Sequence, residues 1–111
     1  MATNQATARV LDALGDPTRR AVLELIRDEE RPVGEIARHL PVSRPAVSQH
    51  LRVLKEAGLV HDRQDGNRRL YSVDARGLTE LRSYLERYWD AALAAFKDVA
   101  ERGPEGRKDR R

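Results

Sequence analysis

The stretch SRPAVSQHLRVLKEAGLV, residues 43–60, decides the fold of this 111-residue chain. Its apolar residues recur at i, i+4 and i+7, which places them on one face of a helix: Val47, Leu51 and Leu54. Ser43 is a residue type that caps the first turn of a helix, and Gly58 suits the position just past the last turn. The pattern predicts an amphipathic helix whose polar face is turned away from the core.

The polar face of this helix carries side chains that can bind base edges and phosphates. They are Ser43, Arg44, Ser48, Gln49 and Arg52. Arginine pairs well with guanine, and glutamine with adenine, in the major groove of DNA. A helix that only solvates a surface would carry Glu and Lys, whereas Pro45 and the two serines lower helix propensity. We therefore predict that this face contacts DNA; an ordinary amphipathic surface helix is the alternative.

Three shorter helices are predicted before this one. The first ends at Gly15, the second begins at Asp16-Pro17, and the third ends at Pro41, with a break at residues 31–32 between the second and the third. Aspartate is a good N-cap, and proline is tolerated at the first helical position. A short helix followed within a few residues by the helix at Ser43 is the arrangement of a helix-turn-helix.

Two strand-like runs follow, residues 60–64 and 68–73, around the turn-forming residues Asp65-Gly66-Asn67. A turn centred on Gly66-Asn67 pairs Asp65 with Arg68, and a turn centred on Asp65-Gly66 sets Arg63 opposite Arg68. We favour the first register. Together the elements predict a mainly α (α+β) fold, a winged helix-turn-helix with a two-stranded hairpin wing, whose second helix enters the DNA major groove.

The basic residues are concentrated in one block of the chain. The net charge is +3, and residues 43–73 hold six basic and three acidic residues, so the rest of the chain is neutral. Such a block is typical of a surface that binds a polyanion, although a solvated surface is the alternative. Arg68 and Arg69 lie at or beside the hairpin tip, where we predict that they follow the DNA backbone or enter the minor groove. A solubilising tip is the other interpretation of these two residues.

A long helix is predicted from Ala75 to Arg102, capped by Asp74. It would extend ~42 Å, and its apolar band is too wide for one contact with its own domain. We expect a partner helix, related by a two-fold axis, to cover the excess and to set two recognition helices ~34 Å apart. Residues 1–102 then form one DNA-binding and dimerisation domain, and residues 103–111 are expected to be a disordered charged tail.

Several motifs resemble the ArsR family of bacterial winged-helix repressors. They are the runs ALGDPTRR at 13–20, IA at 36–37, SRPAVSQHL at 43–51 and LKEAGLV at 54–60. The Tyr88-Trp89 pair is similar to the metal-independent autorepressor branch of that family. Pro41 departs from the family pattern, because many helix-turn-helix proteins have glycine there.

The resemblance implies a homodimeric repressor that uses its first and last helices as the interface and reads an operator with two-fold symmetry. The predicted interface residues are Val10, Leu14, Leu85, Trp89, Leu93 and Phe96. The DNA-reading positions of the family fall on Ser43, Arg44, Pro45, Ser48 and Gln49, and the wing positions on Arg68 and Arg69.

Composition excludes several other functions. The chain has no cysteine, so disulfides, thiolate nucleophiles and thiolate metal sites are excluded. No stretch approaches the ~20 apolar residues of a membrane span, and residues 1–9 lack a secretory signal pattern, so we expect a cytoplasmic protein. The three histidines are scattered, and no catalytic constellation appears; we predict no metal, no cofactor and no enzymatic activity.

Two questions stay open at this level. A winged-helix module that binds another protein is the alternative function, although the outward positions of the helix offer no apolar patch for it. An apolar cleft near Trp89 would suit a small effector, but an indole is more often part of a core. The sequence identifies neither an effector nor the operator.

Overall fold

The computed structural model describes residues 5–102 and confirms the winged helix-turn-helix. Its elements in chain order are α1 (Gln5–Ala13), α2 (Pro17–Leu25), β1 (Arg31–Pro32), α3 (Val33–Arg38), α4 (Arg44–Glu56), β2 (Val60–Asp65), β3 (Arg68–Val73) and α5 (Ala75–Arg102). The chain divides into two units between Leu81 and Arg82. The charged tail predicted at residues 103–111 lies outside the described residues.

The connection between α1 and α2 is held by side chains that satisfy both helix ends. The carboxylate of Asp16 accepts hydrogen bonds from the backbone N–H groups of Thr18 (2.7 Å) and Arg19 (3.2 Å), and the bond from Arg19 lowers the pKa of Asp16. Arg19 and Arg20 in turn donate to carbonyl oxygens at the end of α1 and just beyond it, those of Ala13 and Leu14. The turn therefore has little freedom to rearrange.

The core of the first unit is built from helices α1 to α4 and the start of β2. The three residues predicted from the helix at Ser43, which are Val47, Leu51 and Leu54, are all fully buried. The complete set of fully buried core residues is Val10, Ala13, Val22, Ile26, Ile36, Val47, Leu51, Leu54, Leu59 and Val60. The prediction that Val10 lies in the dimer interface is wrong, because Val10 is fully buried in the core of its own chain. Leu14 is half-buried and packs against the same core.

The wing belongs to an antiparallel sheet of three strands in the order β1-β3-β2. Asp65 pairs with Arg68, which confirms the favoured register, and Gly66 takes a positive φ of 65° in the turn. The third strand was not predicted: Arg31 and Pro32, read only as a break between helices, pair with Tyr71 and Leu70. Two residues are too few to show a strand periodicity.

Two glycines meet where α5 begins. Gly58, with φ at 78°, lies just past the end of α4, and its carbonyl oxygen accepts a hydrogen bond from the N–H of Gly77 at 2.8 Å. A Cβ on Gly77 would lie only 2.6 Å from that oxygen. The first turn of α5 therefore depends on glycine at position 77. Asp74 caps this helix as predicted, since its Oδ1 accepts from the N–H of Arg76 at 2.9 Å.

The described part of the second unit is α5 after Leu81, and its large apolar side chains are exposed in the single chain. Trp89 is 65% exposed and Phe96 is 71% exposed. At ~100° per residue, four of these side chains fall on one side of the helix. We call them the apolar stripe: Leu85, Trp89, Leu93 and Phe96.

Candidate nucleic-acid interface

The six residues predicted to contact DNA from α4 and its N-cap are all exposed. Arg44, Ser48 and Arg52 recur at i, i+4 and i+8, so they follow one side of α4, next to the side that carries its buried residues. Ser43 also caps the helix, because its Oγ accepts from the N–H of Ala46 at 3.2 Å. The helix thus presents an exposed polar face.

Arg44 does not extend freely into solvent. A Cβ on Gly34 of α3 would lie 3.6 Å from a terminal nitrogen of the Arg44 guanidinium. The guanidinium therefore lies close to the first turn of α3. This places the Arg44 guanidinium close to both helices of the helix-turn-helix.

The six cations of the basic block differ in how far they are already neutralised. Lys55 and Arg69 both bind the carboxylate of Asp62, at 2.8 Å and 2.6 Å. Arg63 binds both carboxylate oxygens of Glu30. Three cations are then left to bind a polyanion. Arg68 makes a long contact of 4.0 Å with Asp65, and Arg44 and Arg52 make no ion pair within residues 5–102.

The two wing arginines, predicted to act alike, occupy different environments. Arg69 donates to Asp62 and, at 2.6 Å, to the side-chain oxygen of Gln64. Arg68 makes only the loose contact with Asp65 at the tip. Of the two, Arg68 is the one whose guanidinium is available for a phosphate.

The sequence did not indicate the role of the Asp62 carboxylate as the partner of two cations of the basic block. Its side chain is 6% exposed, and hydrogen bonds from Lys55 first, then from Arg69, lower its pKa. It is therefore ionised throughout the neutral pH range. The pair with Arg69 is diagonal across the hairpin, because Arg69 lies opposite Gln64, two residues along from Asp62. Once the register is known, this pair is predictable; the link to Lys55 on α4 is not.

The histidines are distributed as the sequence suggested. His39 is exposed at the end of α3, and the Nε2 of His61 lies 2.9 Å from the Oγ of Ser72 on the neighbouring strand. Within residues 5–102 no group of three or more histidines and carboxylates could hold a metal ion. In the same range no helix is long and apolar enough to cross a membrane.

Comparisons with known proteins agree with this geometry. Residues 16–62 match the family model described as bacterial regulatory protein, arsR family. The HTH-type transcriptional regulator Rv2034 of Mycobacterium tuberculosis is 50% identical over 101 residues, which cover 91% of this chain and 94% of that protein. The transcriptional repressor SdpR of Bacillus subtilis is 37% identical over 71 residues, covering 64% of this chain and 79% of the repressor.

A solved structure shows the same architecture. It is the homodimeric winged helix-turn-helix DNA-binding domain of Mb0332 from Mycobacterium bovis, which has a TM-score of 0.63 and 31% identity, covering 79% of this chain and 82% of that domain. The family model, the relatives that align with most of the chain and this solved structure agree with one another. The chain belongs to the ArsR family of bacterial regulatory proteins and is a transcriptional regulator of the helix-turn-helix type.

Proposed function

We propose that the protein is a homodimeric repressor that binds double-stranded DNA at a site with two-fold symmetry. Side chains of the α4 polar face read bases in the major groove, and the wing binds the backbone. The observation that carries the proposal is the exposed face of α4, where Arg44 and Arg52 make no ion pair within the described part of the chain.

The apolar stripe supports the homodimer. Its large side chains are about half exposed or more in the single chain, and a contiguous apolar face of this kind marks an interaction site. A two-fold axis lets the same stripe cover itself on a second copy. The relative from Mycobacterium bovis is named as homodimeric, which agrees with this assignment.

We place the protein in the metal-independent autorepressor branch and in the cytoplasm, and we assign it no enzymatic activity. The chain has no cysteine, so a thiolate site for a soft metal cannot form. The matched family and the relatives are named as regulators.

Base recognition by α4 predicts a loss of discrimination when its side chains are shortened. Arg44→Ala and Gln49→Ala should each reduce the ratio of affinities for cognate and unrelated duplex by about tenfold, because each removes a base contact worth ~1–3 kcal/mol. Binding titrations with both duplexes measure the ratio. Equal losses on the two duplexes would contradict base reading by these residues.

Backbone binding by the wing predicts a different signature. Arg68→Ala should weaken binding to both duplexes and should reduce the slope of log affinity against log salt by about 2 per dimer, since each phosphate contact contributes ~0.9. Arg87→Ala is the matched control, because it removes one exposed arginine from the second unit. An unchanged slope for Arg68→Ala would exclude a phosphate contact there.

Selection from a random pool of DNA duplexes tests the proposal as a whole. We expect the enriched sequences to contain an inverted repeat with half-sites about one helical turn, 10–10.5 base pairs, apart. Failure to enrich any sequence would favour the alternative, a winged-helix module that binds another protein. The selected duplex then serves as the cognate site in the other measurements.

A further inference from the structure

Asp62 is the buried charge that joins the recognition helix to the wing. Each of its carboxylate oxygens binds a different element: Oδ1 lies 2.8 Å from the Nζ of Lys55 on α4, and Oδ2 lies 2.6 Å from the Nε of Arg69 on β3. Lys55 lies three residues after Arg52 of the polar face, and Arg69 is next to Arg68. The bridge therefore connects the two parts of the surface proposed to touch DNA.

The other polar anchor of the hairpin leads elsewhere. Arg63 binds Glu30, which lies between α2 and β1, so that pair holds the hairpin to the segment before β1 and not to α4. The strand β1 likewise holds β3 at Tyr71 and Leu70, away from the tip. Among the ion pairs of the described residues, only the one between Lys55 and Asp62 joins α4 to the wing, and the one between Asp62 and Arg69 lies within the wing.

Such a bridge fixes the direction of the contacts more than it stabilises the fold. A carboxylate that is 6% exposed is costly to desolvate, and two cations roughly offset that cost rather than exceed it. Both cations stay about half exposed, so water can solvate them if the carboxylate is neutralised. The net contribution to folding should accordingly be small, whereas the direction of the contacts is specific.

From these contacts we infer that Asp62 is a positioning residue for DNA binding. It holds the wing against the end of α4 so that Arg68 reaches the backbone while the polar face of α4 lies in the groove. The inference rests on the proposed function. It makes an unusual prediction, because neutralising an acidic side chain beside a DNA-binding surface would by charge alone strengthen binding.

Asp62→Asn tests the inference in the full-length protein. It raises the net charge of each chain from +3 to +4, yet we expect about tenfold weaker binding to the selected duplex and unchanged or stronger binding to an unrelated duplex. Asp65→Asn is the matched control, since it removes the same charge from the same strand at a side chain that is half exposed. Asp65→Asn should not weaken either duplex.

A double-mutant cycle separates positioning from a general effect on folding. Arg68→Ala should weaken binding of the wild type to the selected duplex about tenfold, but less than about threefold in the Asp62→Asn background, because the arginine is then already out of place. Lys55→Gln breaks only the link to α4 and should reduce the effect of Arg68→Ala in the same way. This second background is available if Asp62→Asn fails to fold.

The outcomes distinguish this inference from the proposed function. If the wild type does not discriminate between the duplexes, the proposed function fails. If the wild type discriminates and Asp62→Asn behaves like Asp65→Asn, or Arg68→Ala costs the same in every background, the positioning role of Asp62 is overturned while the repressor proposal stands.

Discussion

Leu93→Glu should convert the dimer into monomers at micromolar concentration and lower affinity for a two-fold symmetric site by about 100-fold or more. The substitution places two carboxylates, one from each chain, in an apolar contact where neither has a partner, at a cost of several kcal/mol. Leu93 is 49% exposed in the single chain, and it lies in the second unit, so the fold of residues 5–81 should be unaffected. Sedimentation or light scattering gives the mass, and a titration gives the affinity.

Ala94→Glu is the matched control for this experiment. It adds the same charge one residue further along, on the side of α5 away from the centre of the apolar stripe, and should leave a dimer that binds DNA. A Leu93→Glu protein that remains dimeric would show that the stripe is not the contact between copies.

Gly77→Ala should destabilise the fold by about 2–3 kcal/mol, the cost of forcing an extra methyl into a closed contact. The new Cβ would lie 2.6 Å from the Gly58 carbonyl oxygen and 2.9 Å from Leu59 Cδ2. The oxygen belongs to a turn whose glycine already has a positive φ, so it cannot move away without disturbing the end of α4. Denaturant unfolding at a fixed protein concentration measures the change, since dimerisation makes stability depend on concentration.

Gly34→Ala separates this effect from the general effect of alanine in a helix. Its Cβ would meet only the Arg44 guanidinium at 3.6 Å, an ordinary contact, so stability should be unchanged or up to ~1 kcal/mol higher. Equal stabilities for Gly77→Ala and the wild type would contradict the close approach of α5 to the Gly58 turn.

Local patterns predicted most of this fold. The spacing of Val47, Leu51 and Leu54 identified both the buried and the polar face of α4, since helical periodicity is a property of neighbouring residues. The turn residues Gly66-Asn67 predicted the register of the wing, because few residues accept the backbone conformation of a tight hairpin.

Features that depend on distant contacts were not predictable in this way. Periodicity marked Val10 as apolar and inward but could not distinguish the core of one chain from an interface between two. The residues around Gly77 give no sign that it packs against Gly58, which is distant in the sequence. Lys55 and Arg69 counted toward a basic surface, and only the structure shows that Asp62 already neutralises part of their charge.

The most direct test of the central claim is a titration of the purified protein with the selected duplex and an unrelated duplex at two salt concentrations, with the stoichiometry recorded. A repressor of the proposed kind should bind the selected duplex as two chains per site, with a preference of about 1,000-fold or more over the unrelated duplex that persists at the higher salt. Equal binding to both duplexes, abolished by salt, would leave only a basic surface and would contradict sequence-specific recognition.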